Sequence, residues 1–373
     1  MFFRPLVDLI KFNKIEKKDR KIVFYSENES FYKFFSGIID ELINIYDEKV
    51  CYVTSSSTDP ILLSNKKNIT PFYIGSGSIR TIFFALYNSP LLILSMPDLD
   101  TFHIKRSPHD VNYIFIPHNI CSLHMVFRKK AYNSYDTFFC SGPYHKKEIE
   151  ETCKIYNLNK IKTLSFGYNK IDELLNKKNN IPSKNKEKSL RTLLIAPSWG
   201  KNCILEKYGD RLLTHLVDSK WRVIIRPHPD TVKKFTTTYL KLKEKYNKFF
   251  IFEENISGMN IFYDTDVMIS DWSGVAFEFA FGLEKPVIFL DVPKKINNED
   301  FKLYKNIPFE VLIREKIGKV ISTDEINNIN HIINDVYKDR LFYIDRIRKE
   351  RKKNIYNLSK SSQIGAKYIK SLI

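Results

Sequence analysis

The chain has 373 residues, 43% of them hydrophobic and 14% aromatic, which is long for one core and apolar enough for two, and excludes a largely disordered protein. Lysine and arginine number 60 against 43 acidic residues, leaving a formal charge of +17. That surplus suits an anionic partner, whether phosphorylated substrate, acidic lipid or nucleic acid, although a lysine-rich solvated surface would produce it equally well.

The first predicted element is the amphipathic run Leu6–Phe12, preceded by Met1-Phe2-Phe3-Arg4-Pro5 and lacking the small-residue cleavage site of a secretory signal. Phe2, Phe3, Leu6, Leu9 and Ile10 beside Lys11 and Lys14 suit it to lie on an anionic leaflet. Strand patterns follow at Lys21–Tyr25, Val50–Thr54, Pro71–Ile74, Leu91–Ser95, Tyr113–Ile116, Thr137–Cys140 and Lys162–Ser165. Helical patterns fall between them at Phe31–Ile45, Ile79–Tyr87 and His145–Tyr156. The most apolar window, Ile82–Met96, is broken by Asn88-Ser89-Pro90 and reads as a helix followed by a strand, too short to span a bilayer.

The polar run Asn176–Ser189 is the best linker. Beyond it the alternation resumes, with strands at Thr192–Ala196, Arg222–Ile225, Phe249–Phe252, Val267–Ser270 and Val287–Leu290, and helices at Leu205–Val217, Val232–Tyr246 and Val275–Phe281. A charged helical stretch begins at Glu325. The whole reads as two doubly wound α/β halves, 1–180 and 181–340, with closing helices over 341–373.

Ligands of open parallel sheets bind outside the carboxyl ends of the strands, so the residues just after each strand are the candidates. Arg226-Pro227-His228-Pro229 ends one apolar run: the prolines stiff-mount a guanidinium that forks onto phosphate and an imidazole that donates or accepts a proton. Ser270-Asp271-Trp272-Ser273-Gly274 ends another and opens a helix, with Ser273 the predicted N-cap, Gly274 allowing close approach, and Ser270 or Ser273 donating to phosphate at the helix N-terminus. Glu278, one turn inside, is placed to reach ribose hydroxyls, or is simply a half-exposed helix residue. Ser198 and Trp199 crest the first strand after the linker. In the first half, His118 follows the run Tyr113–Ile116, with His124 as its competitor. Ser76 and Ser78, in the helix-opening loop Gly75-Ser76-Gly77-Ser78, and the cations Lys105 and Arg106 are candidates for an acceptor phosphate; a flexible turn and a solvated loop are the plainer readings.

The five cysteines, Cys51, Cys121, Cys140, Cys153 and Cys203, are odd in number and contain no C-x-x-C, against a disulfide framework or structural zinc and in keeping with a reducing cytoplasm. Asp266 and Asp271 flank a strand and do not share one loop, so no metal site is expected. No zinc finger, RNP-type strand or dense basic helix supports nucleic-acid binding.

The order and spacing of Pro117-His118-Asn119, the segment Tyr135–Pro143, Phe166-Gly167-Tyr168, Ala196-Pro197-Ser198-Trp199, Arg226–Pro229, Ser270–Gly274 and Lys285–Phe289 resemble the CDP-glycerol glycerophosphotransferase family, which builds teichoic acids and related phosphate-linked surface and capsular polymers. The resemblance spans roughly residues 70 to 315. It implies a GT-B fold of two Rossmann-like domains facing a central cleft, an acceptor-binding first domain, a CDP-donor-binding second domain, and last helices that cross back to the first. It further implies His118 as general base on the acceptor hydroxyl, and Arg226, His228, Ser198, Ser270, Asp271, Ser273, Gly274 and Glu278 around the donor. Two positions depart from the family pattern: Asn119 stands where glycine is usual, and Gly274 where many relatives carry serine.

The expected reaction moves glycerol phosphate, or another polyol phosphate, from a CDP-activated donor to a hydroxyl of a lipid-linked glycan or polymer and releases CMP. No cofactor beyond the donor is expected, and the expected setting is the cytoplasm, with the inner face of the plasma membrane as a candidate surface. The alternatives are a GT-B glycosyltransferase or sugar-nucleotide epimerase with the same diphosphate crest, and a non-catalytic membrane-docked assembly protein.

Overall fold

The computed structural model describes residues 3–102, 104–180, 190–254 and 260–373. The chain divides into two compact units. The first comprises Met1–Asp172, Ile296–Asn306 and Asn354–Ile373; the second comprises Glu173–Lys295 and Ile307–Lys353. Three segments therefore lie elsewhere than the sequence bounds suggest: Ile296–Asn306 groups with the first unit, and residues 173–180 and 341–353 with the second.

The first unit holds a seven-stranded sheet: β1 (Ile22–Ser26), β2 (Val50–Thr54), β3 (Ile69–Tyr73), β4 (Leu91–Leu94), β5 (Asn112–Phe115), β6 (Thr137–Cys140) and β7 (Lys162–Ser165), in the order β3-β2-β1-β4-β5-β6-β7. All its pairings are parallel. Parallel strands are covered on both faces, which is why β1, β2 and β4 are continuous apolar runs with every residue buried. Their side chains alternate between two cores. Val23, Tyr25 and Val53 pack with Phe12, Phe83 and Phe84 on one face, and Ile22, Phe24 and Tyr52 with Phe35, Ile38 and Ile39 on the other. The helix Ser361–Lys370 completes that second layer through Ala366 and Ile369, beside the helix Tyr32–Asn44.

The second unit holds β8 (Thr192–Ile195), β9 (Arg222–Ile225), β10 (Ile251–Phe252), β11 (Val267–Ser270), β12 (Val287–Leu290) and β13 (Gly318–Ile321), in the order β10-β9-β8-β11-β12-β13, again all parallel. Each sheet thus reverses its winding once, between β1 and β4 in the first unit and between β8 and β11 in the second. These are the switch points at which doubly wound sheets open a crevice for ligands.

Some local expectations change. The helix Asn169–Asn180 runs through the start of the predicted linker, whose remaining residues, 181–189, lie outside the described residues. The predicted helix Val232–Tyr246 is two, Pro229–Lys234 and Thr236–Tyr246, because Phe235 leaves helical geometry and the Thr236 hydroxyl donates back to the Val232 carbonyl at 2.7 Å. The helix predicted from Leu205 opens with a π-helical turn, Ile204–Tyr208. Strand β13 is not evident in the sequence: it is an edge strand beginning Gly-Lys, and Gly318 approaches the Val287 carbonyl so closely that no Cβ fits.

The helix Gly274–Leu283 is apolar almost all round and buried from Ala276 onward, as expected of an interior helix. It ends at Glu284 in the left-handed region (φ 58°). There the carboxylate meets Arg348 and Arg351, each at 2.8 Å, and Lys178 at 2.5 Å. Burial pushes the Glu284 carboxyl up, but hydrogen bonds from Arg348, Lys178 and Arg351 outweigh it and bring it down from 4.5 to about 2. A carboxylate with a depressed folded-state pKa stabilises fully above its unfolded value and loses that contribution as pH falls through the folded one. We expect Glu284→Gln to cost about 3 kcal/mol at neutral pH, a gap that closes between pH 4.5 and about 2. Urea unfolding of both proteins across that range checks it, and equal midpoints at pH 7 would show the cluster to be inert.

Candidate functional site

In the second unit, four strand ends converge around the switch point. Beyond β9, the Arg226 amide continues the ladder to the Ile195 carbonyl at 2.8 Å. Its guanidinium stands over the Phe262 ring, 4.8 Å from the centroid. Burial lowers the Arg226 pKa, and Glu278 and Glu253 oppose that fall. Glu278 is only 4% exposed, so it is not the half-exposed helix residue of one sequence reading. It is a buried counter-charge acting on Arg226.

His228 is extended because a proline follows it, and that conformation makes it the N-cap of the helix Pro229–Lys234. Its Nδ1 accepts the Asp230 amide at 3.0 Å. An amide can only donate, so the neutral ring carries its proton on Nε2. Burial drives the His228 pKa from 6.5 down to about 4; Asp230 opposes the fall, and Lys295 and Lys234 add to it. His228 therefore sits at neutral pH as an uncharged Nε2–H donor.

Next to it, Trp199 carries two lysines on its ring. The Nζ of Lys295 is 3.6 Å and that of Lys234 is 4.3 Å from the centroid. Lys295 also donates to the Trp199 carbonyl at 3.0 Å, and the His228 ring centroid is 6.0 Å away. Neither lysine stands out in the sequence. Lys234 ends the helix that begins Pro-Asp after His228, and Lys295 lies on the loop after β12, so only the fold shows that both meet Trp199.

Beyond β11, the predicted donors divide. Ser273 caps the helix by position, but its hydroxyl makes no cap hydrogen bond. Gly274 is the first helical residue, leaving backbone N–H groups and the dipole of a ten-residue helix at this crest. Ser270 and Asp271 are fully buried and are corrections to the predicted donor set. The Ser270 hydroxyl donates to the Ala196 carbonyl at 2.7 Å. The Asp271 carboxylate accepts the amides of Ser198 at 2.7 Å and Ile204 at 3.2 Å. Burial raises the Asp271 pKa against those amide bonds. Asp271 thus ties down the loop after β8 and the π-helical turn, and Ser198 is held by it.

In the first unit, His118 follows β5. Its Nδ1 lies 2.7 Å from the Ser95 carbonyl at the end of β4. A carbonyl only accepts, so Nδ1 carries the proton in the neutral ring and Nε2 is the basic nitrogen. The rings of Phe31, Phe34 and Phe127 surround it at 5.3, 6.2 and 5.7 Å. Asn119 holds the following turn by accepting the Cys121 amide at 3.1 Å. It is not left-handed, so the conformation for which glycine would be needed is absent here.

His124 is 2% exposed, stacked on Phe301 and Tyr304 at 5.6 and 4.8 Å and facing Glu148 at 3.4 Å. That is an interior ring and not an acceptor contact. Arg106 is also a strut: it binds Asp136 through two nitrogens at 3.1–3.2 Å and covers the Tyr113 ring at 4.4 Å. Lys105 donates to the Asp100 carbonyl at 3.1 Å. Of the proposed acceptor-phosphate residues, Ser76 and Ser78, at the start of the helix Ser78–Leu86, and Lys105 are exposed.

Two doubly wound parallel sheets with such crests define the GT-B class. Within it, the chain belongs to the CDP-glycerol:poly(glycerophosphate) glycerophosphotransferase family, which it matches over residues 9–356. It is similar to the minor teichoic acid biosynthesis protein GgaB of Bacillus subtilis strain 168, with 24% identity over 233 residues. That match covers 54% of this chain and 24% of GgaB, so the chain spans about a quarter of the length of that curated relative. Among solved structures it resembles the wall teichoic acid polymerase TagF, with a TM-score of 0.64 and 14% identity over 99% of this chain and 94% of that one. It also resembles the UDP-GlcNAc 2-epimerase of Neisseria meningitidis, with a TM-score of 0.57 and 11% identity over 94% and 99%. At these identities the structural likeness is one of fold.

Proposed function

We propose that the chain transfers a polyol phosphate, most simply glycerol phosphate, from a CDP-activated donor to a hydroxyl of a lipid-linked glycan or growing polymer. The acceptor oxygen bonds to the β-phosphorus, the bond from that phosphorus to the bridging oxygen breaks, and CMP leaves with the electron pair. His118 Nε2 takes the hydroxyl proton. Arg226, the His228 Nε2–H, Lys234, Lys295 and the helix start at Ser273-Gly274 hold the diphosphate as charge moves onto the leaving group. For phosphoryl transfer, positioning and electrostatics are the main levers.

The observation that carries this reading is the second unit's switch point, where a neutral imidazole donor and two lysines gather on Trp199 beside the helix N-terminus. Family membership supplies the donor class. Calorimetric titration with CDP-glycerol, with UDP-N-acetylglucosamine as comparison, tests it. The CDP ligand should bind preferentially, and Arg226→Ala should weaken it at least tenfold. A preference for the UDP-sugar would replace this reading with that of a nucleotide-sugar enzyme.

We also place the site of action at an anionic membrane surface on the cytoplasmic side. Among the described residues no helix is long and apolar enough to cross a membrane. The helix Arg4–Lys14 buries Leu9 and Phe12 but leaves Phe3, Leu6 and Ile10 exposed at 78%, 44% and 47%, beside Arg4, Lys11 and Lys14, an arrangement suited to an acidic leaflet. The protein should float with phosphatidylglycerol vesicles and not with phosphatidylcholine alone, and Leu6→Ser/Ile10→Ser should abolish flotation. Equal flotation of the variant would remove this helix as the anchor.

A further inference from the structure

The first unit has its own switch point, between β1 and β4, and a cavity of about 230 Å³ opens there. Glu27, the residue after β1, lines it together with Met96 and Asp98 from the loop after β4, Arg80 from the helix Ser78–Leu86, and Thr101 and Phe102. Met96 follows Ser95, whose carbonyl anchors His118, so cavity and imidazole share one stretch of backbone.

The lining is charged but balanced. Asp98 pairs with Arg128 at 2.8 Å, and Arg128 lies 4.6 Å from the centroid of the Phe102 ring. Burial raises the Glu27 pKa, the charge of Arg80 opposes that rise and the charge of Asp98 adds to it. The Arg80 Nε is buried and has no hydrogen-bond partner among the described residues. Two carboxylates matched by the guanidinium groups of Arg80 and Arg128 leave this cavity without the positive surplus that the lysines give the second unit. The carboxylates are good acceptors for paired hydroxyls, and a guanidinium is a donor for hydroxyl or ring oxygens. At about 230 Å³ the cavity has room for one sugar ring or a short polyol.

The loop itself is strained. Asp98, Asp100 and Phe102 all take positive φ, at 70°, 65° and 44°, and for a bulky aromatic that is a true outlier. Such strain persists where surrounding structure over-determines it, commonly at ligand sites. Here it leaves the Phe102 ring 68% exposed at the mouth of a polar cavity, where a sugar's apolar face can cover it.

We propose that this cavity binds an uncharged, hydroxyl-bearing unit of the acceptor, a single sugar ring or short polyol. Glu27 and Asp98 accept from its hydroxyls, Arg80 donates to it, and Phe102 covers its apolar face. As an acceptor subsite it rests on the transfer reading above; as a binding site it stands on the cavity alone.

The test is saturation-transfer NMR of the full chain with methyl glucoside, methyl galactoside, N-acetylglucosamine, glycerol and ribitol, alongside inorganic phosphate and glycerol 3-phosphate. CDP-glycerol titration runs in parallel. At least one neutral probe should saturate, phosphate should not compete with it, and Glu27→Gln and Asp98→Asn should each weaken it about tenfold while leaving CDP-glycerol affinity unchanged. Asparagine tolerates the left-handed backbone at position 98, so that variant keeps the fold. Absence of a saturable neutral probe, competition by phosphate, or equal binding by both variants would overturn the subsite. If CDP-glycerol fails to bind while a neutral probe saturates, the donor reading fails and the subsite stands.

Discussion

Replacing His118 by alanine should slow transfer by roughly 10²–10⁴-fold, the usual range for loss of a general base, while CDP-glycerol binds as before. The expectation follows from geometry. The Ser95 carbonyl holds the Nδ1 proton at 2.7 Å, so the ring presents Nε2 as its basic nitrogen. Phe31, Phe34 and Phe127 fix the ring plane, so the substitution removes a proton acceptor and leaves the cationic crest on the other unit untouched. CMP release in a single turnover, with donor affinity measured on the same sample, separates chemistry from binding. Release at the normal rate would end the role of His118 as base, and a collapse of donor affinity would move it to the binding site.

His228→Ala should lower kcat by about 10²–10³-fold, comparable to deleting one preorganised oxyanion donor. The donor is the neutral Nε2–H, because Nδ1 is engaged by Asp230 and burial keeps the ring uncharged down to a pKa of about 4. CDP-glycerol affinity should therefore stay level as pH drops through 6.5, the ordinary histidine value. An affinity that climbs with acidity over that range would mean a cationic imidazole and would refute the neutral-donor assignment. Stability has the opposite tendency. With the folded pKa below the unfolded one, the unfolded chain binds the proton first, so stability should fall as pH goes from 6.5 toward about 4. The alanine variant should lack that component, as thermal unfolding at several pH values would show.

Much of the site was legible because strand ends are legible. An apolar run stopped by Pro, Ser or Gly marks a sheet crest, and His118, Arg226, His228, Ser273 and Gly274 all lie just after such runs. The misassignments share one cause: proximity to a crest does not say which way a side chain faces. Ser270 and Asp271 belong to the same pentapeptide as Ser273, yet one donates to the Ala196 carbonyl and the other gathers the amides of Ser198 and Ile204. Arg106 and Lys105 looked like solvent-facing cations. The first is bound to Asp136; the second does face solvent, giving one of its donors to the Asp100 carbonyl. Lys234, Lys295, Glu27 and Arg80 went unnoticed because each is an ordinary charged residue until the fold brings its neighbours to it.

The sequence by itself determined the two parallel sheets and the bounds of most strands, since hydrophobic periodicity and turn residues are local properties that survive without knowledge of the partner strand. It also determined that His228 is extended, since Pro229 disfavours a helical residue before it. Tertiary structure alone decided the strand order and hence the two switch points, the tautomers of His118 and His228, and the burial of His124 between Phe301 and Tyr304. Each of these depends on a contact between residues distant in the chain, and a hydrogen bond or a desolvated charge is defined only when both partners are in place.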